Sequence, residues 1–146
     1  MRTWIFVLII SLFTSAVPSS AHAADELVVV VHARNPSKKV TRADLRAMLT
    51  GNKSFWHGVV PVKAVVRSPS SEAGQRLFAD VLAMEPGQFS AHWTARQLAG
   101  QGVAPESVAT AADVAARVAS APGGVGVLTR GEATALPAGV KVIPLE

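Results

Sequence analysis

Six consecutive residues, Leu27-Val28-Val29-Val30-Val31-His32, set the tightest limit on how this chain folds. β-Branched side chains restrict χ1 and favour extended backbone, and the absence of any apolar/polar alternation removes the option of a wet face. The run therefore predicts a strand buried on both faces, with helices above and below it, and by that pattern a strand of parallel type. Asn35-Pro36-Ser37 ends it. Thr41 then stands three residues before Asp44, the spacing of an N-cap, and opens a helix through Leu45, Met48 and Leu49 that Gly51 stops. Val59 to Val66 reads as a second strand with Pro61 near its start, running directly into Arg67.

A helix is expected from Ser70 or Ser71, because Leu77, Phe78, Val81 and Leu82 recur at helical spacing. Pro86-Gly87 punctuates before a further helix that should turn Phe89, Trp93 and Leu98 to the core, up to Gly100-Gln101-Gly102. Thr110 and Asp113 repeat the cap spacing at the head of an alanine-rich helix carrying Val114 and Val118. That helix stops at Pro122-Gly123-Gly124 and hands over to a strand at Val125–Leu128, with a last strand at Val140–Ile143. The alternation predicts one small α/β domain with a mainly parallel sheet flanked by helices.

Upstream, Arg2 precedes an apolar stretch from Trp4 to Val17, followed by Pro18-Ser19-Ser20 and Ala21-His22-Ala23. One positive charge, an apolar run too short to span a bilayer and small residues at the end are the parts of a secretory signal peptide. Residues 1–23 are assigned to it, with cleavage after Ala23, and residues 24–146 to the domain; about 120 residues suffice for one core. The chain has no cysteine, so neither disulfides nor a lipoprotein thiol are available, and a free periplasmic protein without membrane insertion is expected.

Composition narrows the function. Lys38, Lys39, Arg42, Arg46, Lys53, Lys63 and Arg67 crowd the first half of the domain, and the formal net charge is +4, which favours small anions or acidic partners. Few aromatics and no repeated basic–aromatic platform speak against nucleic acid. His32, His57 and His92 are widely spaced and form no metal-ligand pattern. With no nucleophile elbow, no thiol and carboxylates that read as helix caps (Asp44, Asp80, Glu85, Asp113), neither enzyme activity nor a cofactor is expected. Phe55, Trp56, Phe78, Phe89 and Trp93 read as core.

The most informative stretch is Arg67-Ser68-Pro69-Ser70-Ser71 at the strand-to-helix junction. The first turn of a helix offers unpaired amides, serine hydroxyls add donors and an arginine adds a two-pronged fork, so an oxyanion fits there. A plainer account also covers these residues: a serine N-cap, a proline-set turn and a surface arginine.

The order of motifs adds to this. Val30–Pro36, the Thr41–Gly51 helix, Trp56, the Val62–Arg67 strand and Pro122-Gly123-Gly124-Val125-Gly126-Val127 together resemble, in sequence and spacing, the second lobe of the periplasmic phosphate-binding proteins of ABC transporters, above all the short single-lobe members of that superfamily. The resemblance implies the fold of one lobe of a type 2 periplasmic-binding protein and matches Arg67 and Ser71 to phosphate ligands. Glu72 and Ala73 stand where that family has glycine and threonine, and the Glu72 carboxylate is expected to occupy the positive end of the helix or repel an anion from it. The candidate ligand set is Arg67, Ser68, Ser70 and Ser71, for weakly held inorganic phosphate or a similar anion. The alternative is a lobe that holds no ligand and docks on an envelope partner or on a second copy of itself.

Overall fold

A computed structural model describes residues 25–146; the signal peptide and its cleavage point lie outside the described residues. Five strands form the central sheet: β1 (Leu27–His32), β4 (Lys63–Arg67), β5 (Glu106–Val108), β6 (Gly124–Thr129) and β7 (Val140–Pro144), in the order β5-β4-β6-β1-β7. A two-stranded ribbon, β2 (Phe55–Trp56) with β3 (Val60–Pro61), stands apart from it. The helices are α1 (Arg42–Leu49), α2 (Glu72–Arg76), α3 (Pro86–Leu98) and α4 (Ala111–Ala119), and α2 runs on into a π-helical segment, Leu77–Leu82.

β1 is buried on both faces, as the valine run demands. Val29 and Val31 enter a core shared with α1, the α2–π segment and α3, while Val28 and Val30 enter a second core beneath α4. Each valine so buried contributes roughly 1.5–3 kcal/mol relative to exposure. Three layers result, helix on sheet on helix, which is the α/β class expected of the sequence.

The direction of the strands needs correction. β4 pairs parallel with β5 and β6, but β1 pairs antiparallel with both β6 and β7. The sheet is mixed rather than mainly parallel, because two-sided burial fixes what a strand packs against and not which way its neighbours run. The expected Val59–Val66 strand is also two pieces. Val60 pairs back onto Trp56, the Val62 amide bonds to Ser54, and from Lys63 onward the chain pairs with β6.

The caps agree with the sequence. Thr41 and Thr110 accept hydrogen bonds from the amides of Asp44 and Asp113. Trp56, Phe78, Phe89 and Trp93 are core, with the Trp93 indole donating to Leu49 O at 3.0 Å. Two apolar residues do not join them: Leu98 is 86% exposed and Phe55 49%. Leu98 lies five residues after Trp93, about 140° round the helix, and Phe55 precedes buried Trp56 in a strand, so the two point to opposite faces.

Candidate functional site

β4, β5 and β6 run parallel, so their C-terminal ends meet at one edge of the molecule. Arg67 ends β4 opposite Val108 of β5, and Thr129 ends β6. This is the end at which ligands of open α/β sheets sit.

Three of the four candidate residues come together in the turn after β4. The Ser68 amide donates to Val108 O at 2.8 Å, which ties the turn to β5. The Ser68 and Ser70 hydroxyls lie 2.8 Å apart. Ser71 is the N-cap of α2: its Oγ donates to Ser68 O at 2.7 Å and accepts from the Gly74 amide at 3.0 Å. Gly74 makes this turn possible, because a Cβ there would overlap the Ser68 carbonyl.

Arg67 takes a different course. It is buried, with its side chain 5% exposed, so the plain account of it as a surface charge is corrected. Its Nη1 and Nη2 donate to Oε2 and Oε1 of Glu132 at 2.9 and 3.0 Å, and Nη2 also lies 3.5 Å from Ala109 O. None of its hydrogen bonds goes to a candidate serine. The Nε–H is buried and makes no hydrogen bond among the described residues.

Glu132 is the residue that reading the sequence missed. It opens a short 3-10 turn, Glu132–Thr134, after β6. Its Oε2 accepts from the Thr129 amide at 3.0 Å, and its own amide donates to Thr129 Oγ1 at 3.3 Å. The N-cap of the turn itself is Gly131, but the reciprocal bonds follow the spacing of a capping box, so the signal in the sequence was Thr129-x-x-Glu132. Burial works to raise the Glu132 carboxyl, but hydrogen bonds from Arg67 and from the Thr129 amide outweigh it and hold the group below its ordinary value.

The Glu72 carboxylate does not seat itself on the amides at the head of α2. It is 61% exposed and turns to Arg76, 3.7 Å away, and the head of α2 is capped by Ser71 instead. A carboxylate does fill a cationic seat here, but it comes from Glu132 and the seat is Arg67.

The histidines are held individually. His32 Nδ1 accepts from the Arg34 amide, His57 Nε2 meets Ser37 Oγ at 3.0 Å, and His92 Nε2 meets Thr50 O at 2.8 Å. Among the described residues no helix is long and apolar enough to cross a membrane.

No protein-family model matches the chain, and no curated protein does. Solved structures do share its fold. A phosphate transport receptor of the ABC type from Vibrio cholerae is 20% identical, with a TM-score of 0.53 over 82% of this chain and 45% of its own. PstS from Borrelia burgdorferi is 14% identical, with a TM-score of 0.62 over 82% and 47%. A Clostridium perfringens protein assigned as a phosphate ABC transporter substrate-binding protein, solved with bound phosphate, is 13% identical, with a TM-score of 0.62 over 82% and 44%. The chain spans less than half the length of each. Its fold is thus that of one lobe of such a protein, as the order of motifs implied.

Proposed function

We propose that this chain is an exported, periplasmic, solute-binding-like protein that holds phosphate or a similar oxyanion weakly where β4 meets α2, in an accessory role to uptake or sensing. The observation that carries the reading is the placement of Arg67 as the last residue of β4 and of Ser68, Ser70 and Ser71 in the turn that follows it, at the carboxyl ends of three parallel strands. The fold is shared with a solved protein that carries bound phosphate, which favours that class of anion. A binding role rather than a catalytic one is supported by these three solved neighbours, a transport receptor and two substrate-binding proteins.

Weakness follows from two features. The guanidinium is already engaged by Glu132, so an entering anion competes with a tethered one. The described residues form one lobe's worth of fold, and one wall desolvates an anion less than a closed cleft does. The test is a melting-temperature series with added phosphate. Ligand taken up only by the native state raises the midpoint, and Arg67→Ala should abolish the rise. No rise at millimolar phosphate contradicts the reading.

Docking on an envelope protein or on a second copy is favoured by one further observation. Leu98 and Val103 are 86% and 82% exposed and flank the same Gly100–Gly102 turn, so a partner seated there would bury both. Sedimentation of the unaltered chain against one carrying Leu98→Gln and Val103→Gln tests it: loss of association in the double variant supports docking, and an unaltered monomer removes the self-association arm.

A further inference from the structure

We infer that Glu132 is a tethered counter-ligand which sets the anion affinity of this site by occupying Arg67. The inference rests on the oxyanion reading above and names what regulates it.

The geometry of the pair is that of an anion complex. A carboxylate presents two oxygens to the two Nη groups of a guanidinium as two oxygens of phosphate or sulfate would, in parallel bonds of 2.9 and 3.0 Å. The seat is buried, whereas its occupant is partly open: the Arg67 side chain is 5% exposed and that of Glu132 31%. The occupant is also held lightly. Its segment is a single 3-10 turn, and among the described residues the contacts of its carboxylate beyond Arg67 are all with Thr129. The seat is not saturated, since the buried Nε–H of Arg67 has no partner among the described residues, and a tetrahedral anion has oxygens to spare for it.

A ligand shifts such an equilibrium only by its differential affinity for the open and closed forms. Replacing the Glu132 carboxylate, or protonating it, removes the competitor and leaves a buried cation that needs an anion. Among the described residues the surroundings supply no other acid for the purpose. From β4 Glu132 faces Arg67, from β6 it faces Thr129, and from α4 it faces the uncharged alanines between Ala111 and Ala119. Arg130 beside it is paired with Glu26, and Asp113 is taken up with Thr110. Glu106 of β5 is paired with Arg117.

Sulfate is the probe, because it keeps its double charge at acid pH. Binding is followed by the melting midpoint at constant ionic strength made up with chloride. Glu132→Ala and Glu132→Gln should bind sulfate at least about tenfold more tightly than the unaltered chain at neutral pH, and adding Arg67→Ala should erase the gain. In the unaltered chain sulfate should bind more tightly as pH falls through the range in which Glu132 protonates, and in the Glu132 variants that dependence should vanish. Should Glu132→Ala fail to fold in chloride, sulfate must restore it. No gain in either variant, a gain that survives Arg67→Ala, or no rescue of an unfolded variant overturns the inference. A sulfate response in the unaltered chain without any gain in the variants would leave the oxyanion reading standing and this one refuted. The reverse pattern, a silent unaltered chain and responsive variants, would refute weak binding by the natural chain and support the tether.

Discussion

Arg67 at the end of β4 and Glu132 just beyond β6 are 65 residues apart in the chain and meet through two parallel hydrogen bonds of 2.9 and 3.0 Å. The pair lies at the carboxyl end of the parallel strands, the candidate site of the fold. Its two members are unequally buried, and that inequality governs what happens when either is lost.

Removing Glu132 leaves an unpaired charge in a buried position, whereas removing Arg67 leaves a carboxylate that water reaches and that keeps the Thr129 amide. Glu132→Ala should therefore cost about 3 kcal/mol or more, and Arg67→Met, which fills the same space without charge, roughly 1–2 kcal/mol. Urea denaturation of both variants measures the difference. Equal losses, or a larger one for Arg67→Met, would contradict the burial asymmetry.

The same pair makes stability depend on acid. In the unfolded chain a glutamate titrates near about 4.3, and in the folded chain Glu132 titrates lower. A depressed carboxyl contributes stability that is complete above its unfolded value and is lost as pH falls through its folded value. The urea midpoint should fall on acidification below about pH 4.3, and less steeply in Glu132→Gln. Asp44, also held low chiefly by its hydrogen bond from Lys53, remains in both chains and supplies part of the residual slope. A slope unchanged by Glu132→Gln would remove Glu132 as its source.

Gly74→Ala addresses the turn that carries the serines. The new methyl would overlap the Ser68 carbonyl, which is backbone and already accepts from Ser71, so the turn must open. A loss of about 1–3 kcal/mol is expected, typical of overpacking. It should be accompanied by a weaker anion response, since the displaced group belongs to the candidate site. A neutral result by thermal melting would show that the turn is looser than its hydrogen bonds imply.

Ser71→Ala separates capping from binding. Ser71 Oγ is used twice within the protein, towards Ser68 O and the Gly74 amide. Its loss should cost about 1 kcal/mol as an N-cap, and should reduce anion affinity less than Arg67→Ala does. A stability-neutral variant with all anion response gone would make Ser71 a ligand in its own right.

Much of the architecture was legible in the sequence because it follows from local chemistry. The valine run of β1, the Thr41 and Thr110 caps and the glycine and proline stops each act within a few residues. What was not legible depends on partners distant in the chain. β1 is antiparallel to its neighbours because β6 and β7 return to it from the far end of the sequence. β5 is three residues long, and two of them are exposed, so it leaves no hydrophobic pattern to read. The π-helical turn preserves the helical spacing of Leu77, Phe78, Val81 and Leu82 closely enough to pass for an α-helix. The serines were legible as a group because they share one turn. Glu132 was not, because its partner lies on another strand and its own local pattern, Thr129-x-x-Glu132, reads as an ordinary cap.

The account stands on the Arg67 guanidinium being the group that an oxyanion contends for, and nitrogen-15 NMR of its Nε–H during a phosphate titration tests that most directly. The resonance should move and saturate in the millimolar range, at lower phosphate in Glu132→Ala than in the unaltered chain. A resonance that stays in place in both chains through that range would contradict the account.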